Sequence, residues 1–279
     1  MRTQEKHATR FRSIQTSLLF VIVPAVIISM AVLSLMGYLS SKAIIQTSAG
    51  NEMSQCLSVA MGSIEMSLSN NRMVAETMAR GVEAVQRQAV KGEQTASDWD
   101  AAAYQEILTS FVGSNPETFG GGIWFEPYQY RPEQRYFSPY CMRQNGAVTY
   151  VDNYSLGEGV YYTDQDWYTN AANTTQKSVW SAPYYDEFAQ ISMVTSSAPI
   201  YDETGRFLGV ATADIDLTQM QQMVLSLDVV ANGRAFLIDD TGVYIADEDS
   251  EKLLSANILE DDNPSFAALG RQILSPQEG

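Results

Sequence analysis

The spacing of apolar positions changes character along the chain. From Ser17 to Leu39 the run SLLFVIVPAVIISMAVLSLMGYL carries no charged residue. As a helix rising 1.5 Å per residue it would reach about 34 Å, enough to cross a hydrocarbon core of about 30 Å. A cleaved signal peptide has a shorter apolar core, about 7–15 residues, so this run predicts an anchor that stays with the protein. Residues 41–90 follow, rich in Ala, Met, Ser, Glu and Gln and free of proline, which predicts a long helix. A 4-3 seam runs through it: Met53, Leu57, Ala60, Ile64, Ser67, Asn71, Val74, Met78, Gly81 and Val85. Such a seam suits a coiled coil between two copies, with Asn71 setting register, and equally suits a helix packed on its own domain. Leu68, filling the gap at Ser67, would mark the drift of a straight helix.

Lys91 to Ser97 is a polar break, and helical spacing resumes from Asp98 to Ser114 through Ala102, Ile107, Leu108 and Phe111 before Pro116. From Gly120 the composition turns aromatic and glycine-rich: GGGIWFEPYQY, RYFSPYCMR, then Asn145-Gly146 before AVTYV, a pattern of strands and turns. Asp164 to Asn173 reads as a short helix. ISMVTSSAPIY at 191–201 and FLGVATADIDL at 207–217 predict adjacent antiparallel strands, with Gly205 in the turn between them. Thr218 to Leu227 predicts a helix, and RAFLIDD and VYIAD, within 234–247, repeat the strand-turn-strand pattern. A second module that begins there has little room to finish before Gly279, as expected of a fragment.

Charge narrows the function. The 279 residues carry a formal net charge of −16, which repels phosphate backbones and argues against nucleic acid. Arg2, Lys6, Arg10 and Arg12 before the apolar run, opposed by Glu5 alone, orient the tail to the cytoplasm and the bulk of the chain to the outside. The single histidine, His7, lies in that tail, which excludes a histidine-based triad or metal site in the folded part. Cys56 and Cys141 are far apart without a CxxC spacing and read as free thiols. No catalytic residue, metal site or cofactor is expected. The contrary class is an extracellular hydrolase using carboxylates such as Asp164 and Asp214. Asp164 and Asp166 beside a helix start read as capping residues, IADEDSE at 245–251 as a solvated loop, and Tyr128, Tyr130, Tyr136 and Tyr140 as alternating sheet positions that serve a pocket or packing.

The phrases YYTDQDWYTNA, VWSAPYYDE and MVTSSAPIYDETGRFLGVATADIDL resemble the double Cache sensors found outside the membrane in bacterial chemoreceptors, histidine kinases and diguanylate cyclases. The resemblance covers roughly residues 41–279, and the stalk phrase SIEMSLSNNRMVAETMARGVE is most like that of chemoreceptors. It implies an α/β (α+β, PAS-like) chain with a cytoplasmic tail at 1–16, a membrane helix at 17–39, a stalk helix at 40–97, a membrane-distal module at 98–227 and the start of an incomplete membrane-proximal module at 228–279. It further implies small-molecule sensing by a methyl-accepting chemotaxis receptor, with a homodimer paired through the stalk; the same sensor could drive a cyclase or a kinase. In amino-acid-binding relatives the pocket holds a tyrosine, then arginine-x-Trp-Tyr, a later tyrosine and a strand aspartate. Trp167, Tyr168, Tyr184 and Asp214 match that pattern, whereas Gln165 stands in the arginine position and Val160 in the first tyrosine position. Losing the arginine removes the strongest partner for a ligand carboxylate. The expected ligand is therefore an amine or amino-acid-like compound held by Trp167, Tyr168, Tyr184 and Asp214, with Gln165 and Asp164 nearby.

Overall fold

The computed structural model describes residues 14–91, 101–151, 154, 159–227 and 234–275. The basic tail, His7, the polar break after Lys91, and the first residues of the expected second module lie outside that set. The chain divides into two units, Met1–Gln55 and Cys56–Gly279. In the first, helix α1 (Ile14–Lys91) begins. Its large apolar side chains from Val23 to Leu39 are exposed, Leu33 by 69% and Val23 by 44%, so nothing among the described residues covers them. One helix here is long and apolar enough to cross a membrane.

In the second unit α1 gains a buried face. Asn71, Val74, Ala75, Met78, Ala79 and Val82 recur at the helical period and are shut from water. Part of the 4-3 seam is thus intrachain packing. Toward its end the buried line moves from Gly81 and Val85, which are half-buried, to Ala79 and Val82, as a straight helix drifts from a heptad. Helix α2 (Ala101–Ser114) adds Tyr104, Leu108 and Val112, spaced by four along one face.

Both helices cover one face of an antiparallel sheet with strands β1 (Gly120–Phe125), β2 (Tyr140–Gln144), β3 (Ala147–Val151), β4 (Val179–Trp180), β5 (Tyr184–Asp186), β6 (Ile191–Tyr201) and β7 (Phe207–Asp216). The order is β3-β2-β1-β7-β6-β4, with β5 also paired to β6. The β6–β7 hairpin turns through Gly205, whose φ of +84° is easy only for glycine. Alternation sorts the side chains: Ala211 and Ala213 of β7 join the helix-side core, while Val210, Thr212 and Asp214 point to the other face. A 3-10 turn at Tyr162–Asp164 and helix α3 (Asp166–Ala172) lie on that second face, burying Tyr162, Trp167, Tyr168 and Ala171. This is a mixed α/β fold with a long N-terminal helix and an antiparallel sheet, as the sequence led us to expect.

After helix α4 (Leu217–Leu225), strands β8 (Leu237–Ile238) and β9 (Tyr244–Ala246) pair antiparallel, and helix α5 (Pro264–Ile273) follows. The acidic segment IADEDSE is a solvated loop only in part: residues 248–251 are exposed, but its first half is not. Asp247 is 0% exposed and ion-paired with Arg234, because a guanidinium from earlier in the chain folds over it. Capping at α3 also differs from expectation: the cap position is Gln165, with no side-chain bond, while Asp166 is the first helical residue and Asp164 ends the preceding turn. The cysteines are free thiols, with Cys141 buried beside Thr109 Oγ1 at 3.6 Å.

Candidate ligand-binding site

On the face away from α1, a small cavity of about 10 Å³ is walled by Trp124, Tyr140, Tyr154, Trp167, Tyr184 and Met193, with Asp186, Thr195, Thr212 and Asp214 as its polar groups. Two glycines of β1 make the walls possible. Gly120 lies opposite Asp214, and a Cβ there would sit 2.1 Å from the Tyr140 hydroxyl; one on Gly122 would sit 2.7 Å from the Trp124 indole. With no side chain at Gly120, Tyr140 can lie across β1 and reach Asp214. The Trp124 indole N–H donates to Thr212 Oγ1 at 2.8 Å, and its ring lies 4.7 Å from Trp167 and 5.2 Å from Tyr154, centroid to centroid.

Three of the wall hydroxyls donate to carboxylates. Tyr140 donates to Asp214 Oδ2 at 2.7 Å and Thr195 donates to Asp214 Oδ1 at 2.8 Å. Since the Thr195 proton is used there, Tyr184 is the donor in its 2.8 Å contact with Thr195. Tyr154 donates to Asp186 Oδ1, which also accepts the Ala189 N–H at 2.7 Å. Asp214 is 3% exposed and Asp186 5%, and neither has an ion-pair partner among the described residues. Burial raises the Asp214 pKa from 3.8 to about 7 despite the bonds from Tyr140 and Thr195, with Asp186 adding repulsion. Burial likewise pushes the Tyr140 and Tyr184 phenols well up, so both remain neutral donors. The site is a ring-walled, donor-committed pocket with two carboxylates and no cation of its own.

Of the residues singled out from sequence, Trp167, Tyr184 and Asp214 come together on this cavity. Tyr168 is buried on the far side of α3, donating to Glu126 Oε2 at 2.7 Å. Gln165 turns its amide back to the Tyr161 carbonyl at 3.4 Å, and Asp164 is exposed; neither lines the cavity. Tyr140 does line it, but Tyr130 packs in the helix-side core, Tyr136 stacks on Tyr161 and Tyr128 is exposed. Sequence reading missed Trp124, Tyr154, Asp186 and Thr195. Asp186 lay within the quoted PYYDE phrase, and a carboxylate two residues past a pocket tyrosine on a strand shares its face, a signal that was available.

Residues 104–222 match a family described as methyl-accepting chemotaxis protein-like, first PDC sensor domain. The chain is 38% identical over 84 residues to the chemotaxis protein McpC of Bacillus subtilis, a stretch covering 30% of this chain and 13% of that protein. It is 24% identical over 208 residues to McpA of Pseudomonas putida, covering 72% of this chain and 31% of the relative. It therefore spans under a third of the length of these relatives. Among solved structures, Methyl-accepting Chemotaxis protein X aligns with a TM-score of 0.63 at 20% identity, over 83% of this chain and 84% of that one. The ligand-binding domain of the Campylobacter jejuni chemoreceptor Tlp3 aligns with a TM-score of 0.58 at 17% identity, over 83% and 82%.

Proposed function

Because residues 104–222 carry a methyl-accepting chemotaxis protein-like first PDC sensor domain, we propose that the chain is the extracytoplasmic sensing part of a chemotaxis receptor, anchored by Ser17–Leu39, and that its cavity binds a small organic cation. One observation carries the ligand class: two nearly inaccessible carboxylates face a cavity walled by aromatic rings, without a cation among the described residues to neutralise them. Leaving such charges uncompensated costs several kcal/mol each, so an ammonium group entering the cavity would meet both a desolvated partner and ring faces. The hydroxyl protons of Tyr140, Tyr154, Tyr184 and Thr195 are already donated to Asp214, Asp186 or Thr195, so they offer little to an anion. Solved structures of similar fold were obtained with L-valine and 4-methylisoleucine, for Tlp3, and with GABA, for PctC of Pseudomonas aeruginosa, each ligand bearing an ammonium group.

Signalling through α1 belongs to the same proposal. Gly121 faces the helix side, 3.2 Å from the Met78 side chain when given a Cβ, between the two glycines that seat Tyr140 and Trp124. Glu76 of α1 accepts from the Ser178 hydroxyl at 2.8 Å, and Glu83 accepts from the Tyr201 N–H at 3.1 Å. A ligand that favours one arrangement of the sheet would thus bias the helix packed on it. Pairing of two copies falls to Val59, Met66 and Met73, exposed side chains at heptad spacing on α1.

The test is calorimetric titration of the full chain in nanodiscs with butylamine and with butyrate. Saturable binding of the amine and none of the anion is expected. Binding of butyrate with equal or greater affinity would overturn the ligand class.

A further inference from the structure

We propose that the cavity is built for two positive charges and that its preferred ligand class is a short aliphatic diamine, with Asp214 and Asp186 each holding one ammonium group; this rests on the cation-binding reading above.

The two carboxylates belong to separate arms of the site. Asp214 is on the central strand β7, gripped by Tyr140 from β2 and Thr195 from β6. Asp186 ends β5, gripped by Tyr154 and by the Ala189 N–H of its own turn. Each has its own hydroxyl donor, and among the described residues no hydrogen bond links one carboxylate to the other's set, so they are two acceptor sites lining one cavity and not a single shared one. A ligand with a single ammonium group neutralises one buried charge and leaves the other facing it in a low-dielectric space. A diamine neutralises both, and Trp124, Trp167, Tyr140 and Tyr154 supply an apolar wall for its methylene chain. The cavity, at about 10 Å³, has room for about one water, so its walls must part to admit a ligand, which favours a short chain over a long polyamine. An amino acid of the same length is disfavoured for a stated reason: its carboxylate would lie against Asp186 or Asp214 without an arginine or lysine among the lining residues.

Putrescine, butylamine and GABA form a matched set of probes with one four-carbon chain and, respectively, two ammonium groups, one, and one with a carboxylate. Titrated into the full chain in nanodiscs near pH 8, putrescine should bind at least about tenfold more tightly than butylamine, and GABA more weakly than either. Asp186→Asn keeps both bonds that end on Oδ1 and removes only the charge. It should weaken putrescine roughly thirtyfold and leave butylamine within about threefold. The ratio of putrescine to butylamine in the unaltered protein needs no variant to fold. Equal affinities for those two, or an equal effect of Asp186→Asn on both, would overturn the diamine inference and leave the cation-binding reading standing. No binding of any amine to protein that unfolds cooperatively would overturn both.

Discussion

Asp247 and Asp214 are both shut from water, at 0% and 3% exposure, yet the chain treats them in opposite ways. Asp247 receives the Arg234 guanidinium on both carboxylate oxygens and the Asp249 N–H at 2.8 Å, and Arg234 in turn lies over the Phe266 ring. Nearby, Lys252 reaches Asp261 at 2.7 Å, which with the Asn263 N–H holds that carboxyl down at about 2. In the segment after β7, then, Asp247 and Asp261 are each neutralised by a base of the same segment. Asp214 and Asp186 have hydroxyl and amide donors but no base, and burial drives Asp214 up to about 7. A buried carboxylate with an internal cation serves the fold. One that faces a cavity without a cation is poised for something that arrives from outside.

The largest effect should come from breaking the satisfied side of this comparison. Arg234→Ala leaves Asp247 buried and unpaired and should destabilise the chain by about 3–5 kcal/mol, read from denaturant unfolding followed by tryptophan fluorescence. A loss under about 1 kcal/mol would mean that the pair is idle and the contrast empty.

The unsatisfied side predicts the opposite sign. Because the folded-state pKa of Asp214 lies above its ordinary value, its contribution to stability is full below about pH 4 and is lost as pH rises through about 7. The unliganded protein should therefore lose a few kcal/mol of stability from this group across that window, with the steepest loss midway between the two values and little beyond about 7. Asp214→Asn should flatten the slope there and be the more stable form near pH 8. An unchanged slope in thermal unfolding would remove Asp214 as its source. Asp261 runs the other way: its contribution is present above about pH 4 and is lost as pH falls through about 2. Amine affinity should rise with pH through about 7, as Asp214 loses its proton, and isothermal titrations in buffers of different ionisation enthalpy will show the proton released.

A smaller effect sharpens the geometry. Gly120→Ala places a methyl group on the Tyr140 hydroxyl and must displace it from Asp214, at a cost of about 1–3 kcal/mol in stability together with most of the amine affinity. Retained affinity would show that the bond to Tyr140 is dispensable. The smallest effect belongs to Asp164→Asn, on an exposed carboxylate away from the cavity, which should change stability by less than about 0.5 kcal/mol and leave amine titration unaltered.

Local pattern carried much of this structure. Absence of proline and a run of helix formers after Leu39 foretold α1, and the alternation in ISMVTSSAPIY and FLGVATADIDL around a glycine turn foretold the β6–β7 hairpin with its antiparallel register. The placement of Asp214 opposite Ala213 followed from strand period alone, and so did its removal from the helix-side core. What local pattern could not carry was the fate of each charge. In sequence Asp247 stands among acidic neighbours and resembles a solvated loop, Asp164 stands beside the pocket tryptophan and resembles a contact, and Asp186 stands in a turn and resembles neither. Their fates were decided by which strand lies beside which. Arg234 comes to Asp247 across the β8–β9 pair, the turn after the 3-10 segment carries Asp164 to the surface while α3 buries Trp167, and β5 on the edge of β6 brings Asp186 and Tyr184 to the cavity already bounded by Thr195 and Asp214. Period and propensity act over a few residues and are written in the sequence. Neutralising a buried charge requires a partner within about 4 Å, and distance of that kind exists only after the sheet has closed.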